Sequence, residues 1–558
     1  MLKVPLRGED VHGATVAILA VVLLFVTLFW RLGTPTFWDP DEAHYAETSR
    51  EMVATGDWWA PFYNDEPFFD KPVLFHQLQA VSMLVFGDAE LAARIAPAVA
   101  GLALVLITAW FGRTMVSPDV GVVAGMMLGA CPGLFALARY AILDTLFTTF
   151  MFGGAAFLVV AATGGRPRLQ WAAYVLLALA VLTKGPIALV LCGITFILAI
   201  TVSGDLRRAL LRLNWILGLL LVLALAAPPF VYLYLRFGDA FVQGYVLDEN
   251  LRLFASSRFR NQPGFWFYFR ILAAGLLPWT GLLIGRFVDD VRAMIKGERL
   301  DGVEMLLWVW SLTVVGFFTF STFKLDHYVF PAAPALCLLC SRAWADVRAN
   351  QFDGRHSGAR LGLYLIGPFL VAVGVGCGYF LIARLALPWE AIVVPIALTV
   401  AGAALAALAN VRRALPPRVP WLVISALIVT YIGLIAFVLP ALEHRKVVPD
   451  LARFVAEHAG PTDRVASFRL NRWNPAYRFY VGRHVAFLED AAEAEAFFKS
   501  PQPFYCVMRR NAFDEFVAQG AKIQVVYERD GVTATSGRLL WRTRTPPLAR
   551  FVVVTDAR

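Results

Sequence analysis

The chain has few charged residues and few cysteines for its length. Only 16% of its 558 residues are charged, whereas 59% are hydrophobic. A soluble protein has about 25% charged and about 45–50% apolar residues. The six cysteines are scattered without a CxxC or Cys/His spacing, which argues against a disulfide framework and gives no sign of a metal site. The apolar excess falls in repeated runs of about 20 residues, the length that crosses a bilayer. The composition therefore predicts a polytopic membrane protein.

The motifs of several familiar protein classes are also absent from the sequence. There is no P-loop, so ATP-driven transport has no motor in this chain, and no HExxH or GxSxG motif indicates a zinc protease or a serine hydrolase. No repeat of about 20–50 residues occurs, as a solenoid would require. The net charge of +9 is better explained by basic loops on one side of a membrane than by nucleic-acid binding.

Hydropathy predicts about 13 membrane spans. They cover 14–32, 92–112, 119–137, 142–162, 169–183, 185–202, 214–235, 266–285, 303–321, 328–345, 361–383, 388–409 and 419–441. Arginine and lysine concentrate in alternate connections, which the positive-inside rule assigns to the cytoplasm together with the N-terminus. An odd number of spans then places the C-terminus outside. The first run is too long for a cleavable signal and is predicted to be an anchor.

The predicted topology divides the chain into a transmembrane domain, 1–442, and a soluble domain, 443–558. Two long outer loops, 33–91 and 236–265, belong to the transmembrane domain, and the first is long enough to contain interfacial helices. In the tail, charged residues return and strand-like runs at 504–508 and 523–527 follow a helical stretch at 447–459. At about 115 residues, this tail can form a small α/β domain.

The first outer loop contains a dense group of ionisable residues at positions 38–47. Asp39 suits a helix N-cap, Pro40 suits the first helical position, and Glu42 lies where the acidic member of a capping box belongs. The helix is predicted to end just before Gly56. Capping explains Asp39 and Glu42 without any chemistry.

Capping explains Asp41 less well. Asp41 shares one helix face with His44 and Tyr45, because they are three and four residues apart. That face is polar and chemically competent, and acidic groups near a bilayer are costly to retain. The sequence leaves two interpretations open, a well-capped interfacial helix and a catalytic Asp41.

A second polar group, Asp70-Lys71-Pro72, follows in the same loop. Pro72 can open a second amphipathic helix with Asp70 as its cap, in which case Lys71 is a surface residue. Alternatively, Lys71 binds an anionic group, since ammonium groups bind phosphate as point charges. Both interpretations stay open at this point.

Two more polar positions lie at the outer ends of predicted spans. Arg139 and Asp144 could form a structural ion pair within the helix bundle or contribute to a site. Lys184, which precedes Gly185-Pro186, opposes the positive-inside trend, so topology signalling does not explain it. We therefore include Arg139, Asp144 and Lys184 among the candidate site residues.

The remaining candidates lie in the second long loop and in the turn at 324–328. Arg258 and Arg260 could contact lipid headgroups or cradle a pyrophosphate-like group. The turn gathers Lys324, His327 and Tyr328 at one membrane surface. An acidic group and several cations thus converge on one face of the membrane, which suits chemistry on a substrate with a phosphate and a long apolar tail.

These residues resemble the GT-C membrane glycosyltransferases, specifically the bacterial family 39/83 group that includes protein O-mannosyltransferases and the aminoarabinose transferases of lipid A. The resemblance extends over nearly the whole chain. The motifs that carry it are Asp41-Glu42, Tyr45-Ala46-Glu47, Arg50-Glu51-Met52, Gly56-Asp57-Trp58, Asp70-Lys71-Pro72, Arg139 with Asp144, Thr183-Lys184-Gly185-Pro186, Leu277-Pro278-Trp279, and Lys324-Leu325 with Tyr328 and Pro331.

The resemblance implies a polyprenyl-phosphate-linked sugar donor, used on the periplasmic face with inversion at the anomeric carbon. Asp41 matches the essential first-loop carboxylate, Lys71 and Tyr328 match contacts to the carrier phosphate, and Asp144 matches the second acidic residue near the site. His44 stands where the aminoarabinose transferases have a phosphate-binding arginine, so it is expected to be a weaker, pH-dependent ligand.

The sequence thus predicts a polytopic α-helical GT-C protein of the bacterial inner membrane, with its N-terminus cytoplasmic and a C-terminal periplasmic α/β domain. The expected function is transfer of a sugar from a polyprenyl-phosphate donor to lipid A, lipopolysaccharide or another envelope acceptor. A protein O-mannosyltransferase and a lipid-linked-sugar transporter are the alternatives. No cofactor is required by the sequence, and a divalent metal beside Asp41 or Asp144 stays open.

The predicted site residues form two sets. The catalytic set is Asp41, Glu42 and Asp144. The substrate- and phosphate-binding set is His44, Tyr45, Lys71, Arg139, Lys184, Arg258, Arg260, Lys324 and Tyr328.

Overall fold

The computed structural model describes residue 22 and residues 24–87, 89–252, 263–350, 354–409, 415–470, 475–533 and 548–557. The predicted binding residues Arg258 and Arg260, and most of the first predicted span, lie outside the described residues. The described chain is mostly helical, with a small mixed sheet near its C-terminus.

The helices up to residue 350 form most of the bundle. They are α1 (Asp41–Thr55), α2 (Leu74–Phe86), α3 (Glu90–Met115), α4 (Pro118–Ala130), α5 (Pro132–Ala138), α6 (Asp144–Thr163), α7 (Leu169–Lys184), α8 (Ile187–Val202), α9 (Gly204–Leu210), α10 (Trp215–Phe237), α11 (Phe267–Gly275), α12 (Thr280–Ile295), α13 (Gly302–Phe320) and α14 (Ala333–Ala349). A short helical turn at Asp239–Phe241 continues as the π-helical segment Val242–Arg252, and a 3-10 turn covers Asp326–Ala332.

The remaining elements complete the bundle and build the C-terminal region. The bundle helices are α15 (Ser357–Gly378), α16 (Val393–Ala409), α17 (Leu415–Gly433) and α18 (Leu439–Glu443). The C-terminal helices are α19 (Val448–His458), α20 (Pro475–Val481), α21 (Ala491–Phe498) and α22 (Arg510–Ala518). The strands are β1 (Phe62–Tyr63), β2 (Glu66–Pro67), β3 (Arg464–Phe468), β4 (Ala486–Leu488), β5 (Phe504–Arg509), β6 (Ile523–Gly531) and β7 (Ala549–Asp556).

Eight helices in the described part of the chain are long and apolar enough to cross a membrane, and ten if two bent pairs each count as one span. The bent pairs are α4 with α5, at 61°, and α11 with α12, at 117°. The predicted spans at 169–183 and 185–202 correspond to α7 and α8, which have 16 residues each and are short for a bilayer. The chain is therefore a multi-span membrane protein.

Glycine permits close helix packing between α12 and α15. Gly281 and Gly285 on α12 face Gly358 and Gly362 on α15, and a Cβ atom at Gly285 would overlap the Gly358 carbonyl. Small residues four positions apart let two backbones approach within a membrane, where the hydrophobic effect does not drive helix association. These four glycines therefore let the backbones of α12 and α15 pack against each other.

The start of α1 differs from the sequence prediction. The helix begins at Asp41, with Pro40 at the N-cap position and no side-chain cap. Asp39 is buried and accepts a hydrogen bond from the distant Ala476 amide at 2.9 Å, so the predicted N-cap role is wrong. The predicted end is confirmed, because Gly56 adopts a left-handed conformation with φ 71° directly after the helix.

The start of α2 also differs from the prediction. This helix begins at Leu74, and Val73 occupies its N-cap without a side-chain hydrogen bond. Asp70 therefore does not cap the helix. Its carboxylate binds the Lys71 ammonium at 2.6 Å instead.

The C-terminal region folds around a five-stranded sheet with the strand order β4-β3-β5-β7-β6. Strand β3 runs parallel to β4 and β5, while β7 runs antiparallel to β5 and β6. The predicted strands at 504–508 and 523–527 and the predicted helix at 447–459 are confirmed as β5, β6 and α19. The central strands β5 and β7 bury continuous apolar runs, as interior strands do.

The C-terminal region and the first loop share one apolar cluster. Phe37, Ala43 and Ala46 from the loop pack together with side chains such as Leu451 and Tyr477 from the C-terminal region. Because the cluster is continuous, α1 is fixed between the helix bundle on one side and the C-terminal region on the other.

Candidate active site

Two helix ends and one turn bring polar residues to one end of the bundle. Asp144 is the first residue of α6, and Lys184 is the last residue of α7. His327 and Tyr328 lie in the 3-10 turn before α14. The termini of antiparallel neighbouring helices meet at the same end of a bundle, so residues nearly 200 positions apart in sequence become neighbours.

Asp144 and Lys184 form a buried ion pair at this end. Lys184 Nζ donates to Asp144 Oδ1, and Asp144 is only 2% exposed. His327 Nε2 lies 3.5 Å from the second carboxylate oxygen of Asp144. The Lys184 ammonium also lies 4.3 Å from the centre of the Tyr328 ring, a cation–π contact. Lys184 therefore contacts two other predicted residues, Asp144 and Tyr328.

A second cation lies beside this group. Lys71 Nζ binds Asp70 Oδ1 at 2.6 Å and lies 3.7 Å from Glu249 Oε2, which belongs to the π-helical segment 242–252. Burial lowers the pKa of Lys71, but the carboxylates of Asp70 and Glu249 outweigh burial and raise it above its ordinary value. Lys71 therefore stays charged, with one short and one longer carboxylate contact.

Glycine permits the π-helical segment to approach Lys184. Gly185 has φ 87°, and the hydroxyl of Tyr245 occupies the space that a Cβ atom at this position would need. The Lys184-Gly185 pair thus lets a residue of the second long loop pack against the cations of the site.

Asp41 differs from every other acid near these cations. Its half-buried carboxylate has no hydrogen bond and no ion pair among the described residues. Burial raises the pKa of the Asp41 carboxyl; the charge of His327 lowers it, and the carboxylates of Asp326, Asp70 and Asp144 raise it further. The net effect is a raised pKa, which makes Asp41 a stronger base than an ordinary aspartate once it is ionised.

His44 and Tyr45 line the same region but carry no charge at neutral pH. His44 is 8% exposed and packs against the rings of Tyr63, at 4.4 Å, and Phe68, at 4.3 Å. Burial lowers the pKa of His44 to about 4. Burial also raises the pKa of Tyr45 well above its ordinary value. Both side chains can form neutral hydrogen bonds, and neither supplies a cation.

Glu42 faces away from this group. Its carboxylate binds Arg94 in a two-point ion pair, at 2.7 and 2.9 Å, and accepts the backbone amides of Trp38 and Ala141. Glu42 is fully buried and Arg94 is 2% exposed. This arrangement ties α1 to α3 and to the start of α6. The sequence did not indicate Arg94, although a lone arginine in an apolar span is an unusual feature.

Two further predicted residues lie outside the cluster. Arg139 does not pair with Asp144; its guanidinium donates to the carbonyls of Thr27 and Leu28, at 2.8 and 3.0 Å. Lys324 donates to the carbonyl of Ser321 at 2.5 Å. Both side chains thus donate to backbone carbonyls at the ends of local helical segments.

We use the name charged cluster for Asp41, Asp70, Lys71, Asp144, Lys184, Glu249, His327 and Tyr328. Asp70, Glu249 and His327 were not among the predicted site residues, although the sequence analysis named Asp70 as a possible helix cap and His327 in the turn at 324–328. Among the described residues, no group of three or more His, Cys, Asp or Glu side chains has the arrangement of a metal site. The charged cluster offers cations for an anionic group and, in Asp41, a carboxylate without a partner among the described residues that can accept a proton or orient an acceptor.

The chain is similar in sequence to membrane glycosyltransferases. Residues 70–232 match the family described as dolichyl-phosphate-mannose-protein mannosyltransferase. The undecaprenyl phosphate-alpha-4-amino-4-deoxy-L-arabinose arabinosyl transferase of Edwardsiella ictaluri is 30% identical over 58% of this chain and 58% of its own length. The corresponding transferase 1 of Sodalis glossinidius is 30% identical over 62% of each chain. The alignments thus span about three fifths of these curated relatives.

Solved structures match the fold over a greater length. ArnT from Cupriavidus metallidurans bound to undecaprenyl phosphate has a TM-score of 0.74 at 22% identity, covering 96% of this chain and 97% of that chain. The oligosaccharyltransferase of Archaeoglobus fulgidus has a TM-score of 0.50 at 12% identity, covering 92% of this chain and 69% of that chain. The chain therefore shares the fold of the ArnT structure and is similar in sequence to arabinosyl transferases of that type.

Proposed function

We propose that this protein is an inverting glycosyltransferase that uses a polyprenyl-phosphate-linked sugar as donor. The observation that carries the proposal is the carboxylate of Asp41, which has no partner among the described residues and lies near the ion pairs Asp70–Lys71 and Asp144–Lys184. Such a site has a base or acceptor-orienting group on one side and charges for a phosphate leaving group on the other.

The relatives support the class of donor. The curated relatives are named for transfer of aminoarabinose from undecaprenyl phosphate, and the solved ArnT structure holds undecaprenyl phosphate. We infer that this chain uses the same class of donor and transfers its sugar to lipid A, lipopolysaccharide or another envelope glycan. The apolar helices around the charged cluster would hold the lipid tail, so that the attack becomes effectively intramolecular.

The contacts of the two lysines indicate how a phosphate would bind. Lys184 forms a close ion pair with Asp144. Lys71 has a short contact with Asp70, at 2.6 Å, and a longer one with Glu249, at 3.7 Å. We assign the first phosphate contact to Lys71, because an incoming phosphate can replace the distant Glu249 without breaking the short Asp70 contact. The Tyr328 hydroxyl and Lys184 then stabilise the charge that develops as the phosphate leaves.

The reaction follows from these roles. The bond from the anomeric carbon to the carrier phosphate breaks, and a bond to the acceptor oxygen forms on the opposite face of the sugar. With a hydroxyl acceptor, Asp41 takes the hydroxyl proton, and the carrier leaves as a phosphate anion. With a phosphate acceptor, no proton needs to be removed, and Asp41 orients the acceptor. Glu42, through Arg94, holds the helix that carries Asp41.

We further propose the topology that hydropathy and charge predict. In this arrangement about 13 spans form a transmembrane domain, 1–442, with outer loops 33–91 and 236–265. The N-terminus is cytoplasmic, and the 443–558 domain is periplasmic, at the inner membrane. The proposal is supported by the convergence of the first loop, the charged cluster and the C-terminal sheet at one end of the bundle.

A protein O-mannosyltransferase is the second candidate. The family description matched by residues 70–232 names a protein mannosyltransferase, and these residues include Lys71, Asp144 and Lys184. This candidate keeps the donor chemistry but changes the acceptor to a serine or threonine hydroxyl. In that case Asp41 has the role of the base.

The experiment that tests the function is mass spectrometry of lipid A and core lipopolysaccharide in a knockout host. The host is complemented with the wild type, with Asp41→Asn or with Asp205→Asn, an exposed aspartate paired with Arg208 on the surface. We expect a sugar-sized mass increment with the wild type and Asp205→Asn, and none with Asp41→Asn. The size of the increment identifies the class of sugar.

Identical spectra from all strains, with every protein present in the membrane, would exclude lipopolysaccharide as the acceptor. The purified protein is then assayed for consumption of a polyprenyl-phosphate sugar without any vesicle gradient. Consumption with a serine- or threonine-containing peptide would support the second candidate. Failure to consume the donor, together with its movement across vesicles, would support a transporter instead.

A further inference from the structure

Helix α1 has two functionally different faces. Asp41 and Tyr45 lie on the face toward the charged cluster. Ala43, Glu47 and Arg50 lie on another face, which packs against α20 of the C-terminal region. The backbone of a helix is rigid over a few turns. Contacts that hold one face of α1 therefore also determine where the side chains on its other face lie.

The polar centre of this junction is Arg478. Arg478 is 5% exposed and forms ion pairs with Glu47 Oε1, at 3.3 Å, and with Glu51 Oε1, at 3.1 Å. Arg50 completes the group, because it binds Glu47 at 2.6 Å and donates to the carbonyl of Phe479 at 2.7 Å. Two arginines and two glutamates thus form one ionic group between α1 and α20.

Two backbone contacts fix the chain just before Asp41. The buried Asp39 accepts the amide of Ala476 at 2.9 Å, and the amide of Phe37 donates to the Tyr480 hydroxyl at 2.8 Å. The same hydroxyl donates to Glu90 at the start of α3, at 2.7 Å. The segment 475–481 therefore contacts the chain on both sides of Asp41 and also contacts the bundle.

We propose that the segment 475–481 of the C-terminal region positions Asp41 for the transfer reaction, with Arg478 as the main positioning residue. The inference rests on the proposed function and assigns a role to the C-terminal region within it. Arg478 itself touches neither substrate nor the reacting atoms. It acts through Glu47 and Glu51, which fix the rotation and the tilt of α1.

The consequence for kinetics follows from the contacts of the donor site. Lys71 and Lys184 are held by Asp70, Glu249 and Asp144, and Arg478 contacts none of them. Loss of Arg478 would leave the buried Glu51 without its cation and Glu47 with Arg50 alone, and would shift α1. We therefore expect a lower kcat with little change in the KM of the donor. If the C-terminal region instead recognised the acceptor, the KM of the acceptor would rise.

The experiment compares full-length Arg478→Gln and Arg478→Lys with the wild type, using a polyprenyl-phosphate sugar and the acceptor identified above. We expect Arg478→Gln to lower kcat about 10- to 100-fold, as a misplaced reacting group does. Both KM values should stay within about 2-fold of wild type, since binding contacts are unchanged. Arg478→Lys should recover part of kcat, because an ammonium can still pair with one glutamate.

The matched control is Arg453→Gln. Arg453 lies in the same region on α19, is exposed, and pairs with Asp450 at 3.3 Å away from the junction. Its kcat should equal that of the wild type. The double variant Asp41→Asn/Arg478→Gln should be no slower than Asp41→Asn, because Arg478 acts only through Asp41.

A wild-type kcat in Arg478→Gln, or a loss confined to the KM of the acceptor, would overturn the inference. If Arg478→Gln does not accumulate in the membrane, Arg478→Lys and the isosteric Glu51→Gln take its place. Wild-type kcat in both of these folded variants would also overturn it. Failure of the proposed function is a different result, because the wild type itself would then consume no lipid-linked donor.

Discussion

Two ionic clusters lie at opposite ends of the helix bundle, and they differ in how fully their groups are paired. One is the charged cluster around Asp41. The other, which we name the Arg286 cluster, contains Arg286, Asp290, Asp301, Glu304, Arg342 and Asp346. Helix α14 connects the two ends, since it begins after the Tyr328 turn and carries Asp346 about 20 Å further along its axis.

The Arg286 cluster is saturated. Arg286 is 4% exposed and contacts Asp290 at 3.1 Å, Asp346 at 2.5 Å and Glu304. Asp290 also accepts a hydrogen bond from the Trp308 indole at 2.8 Å. Buried charges of this kind are tolerated only when every group has a partner, and such a cluster holds helices together.

The charged cluster is similar in composition but leaves Asp41 without a partner among the described residues. The difference also separates Asp41 from its neighbour Glu42, which is fully paired with Arg94. Saturated pairing is the property of structural groups, whereas an unpartnered carboxylate with a raised pKa is the property of a reactive one. Pairing, and not residue type, therefore distinguishes the two clusters.

The largest expected effect comes from Asp41→Asn. We expect kcat to fall about 100- to 10,000-fold, the usual contribution of a general base, with the unfolding temperature close to wild type. The measurement is donor consumption by purified protein, with Asp205→Asn as the control.

With a hydroxyl acceptor, the wild-type rate should fall as the pH falls through the raised pKa of Asp41, since only the ionised form accepts a proton. An unchanged kcat would show that Asp41 is not a reactive group, and the charged cluster would then not differ in function from the Arg286 cluster.

Arg286→Met should have the opposite signature. Removal of this guanidinium leaves the buried Asp290 without a cation and leaves Glu304 with the more distant Arg342 alone. Breaking a buried ion pair in this way costs about 3–5 kcal/mol of stability. Folded variant protein should retain the wild-type kcat, because the Arg286 cluster lies at the other end of the bundle. Thermal unfolding in detergent, combined with donor consumption normalised to folded protein, measures both quantities. A loss of kcat without a loss of stability would contradict a structural role.

The pH dependence of stability should identify Asp39 as a buried neutral group. Burial raises the pKa of Asp39 to about 7 in the folded protein, whereas an unfolded aspartate has a pKa of about 3.9. The folded state therefore binds the proton more tightly. The stabilisation is complete below about pH 4 and is lost as the pH rises through about 7. Asp39→Asn still accepts the hydrogen bond from the Ala476 amide but cannot titrate, so its unfolding temperature should depend less on pH between about 4 and 7 than that of the wild type. An unchanged pH dependence would show that other groups cause it.

The smallest effect is expected from His44→Phe. His44 is neutral above a pKa of about 4, so it contributes no charge to phosphate binding at neutral pH. The KM of the donor should change at most about 3-fold, the equivalent of a weak hydrogen bond. The measurement is the donor KM between pH 5 and 8 in both proteins. A His44-dependent rise in KM with pH would show instead that the histidine binds phosphate as a cation.

Local sequence signals determined much of the secondary structure and part of the charged cluster. The end of α1 at Gly56, helix α19 and strands β5 and β6 follow from glycine conformation and from hydrophobic periodicity, which depend on neighbouring residues alone. Apolar runs also determined that the chain spans a membrane several times. Asp41, Lys71, Asp144, Lys184 and Tyr328 were selected because charged and polar residues near a bilayer need a reason to be there.

Only the tertiary structure decided which of these groups are free to react. The acceptor of the Ala476 amide, Asp39, is 437 positions away in sequence, and the partners of Glu42 and Glu249 lie on other elements. A local pattern assigned caps to Asp39 and Asp70 because it contains no information on such distant partners. Pairing between remote side chains depends on how the helices pack, and the free carboxylate of Asp41 is a result of that packing.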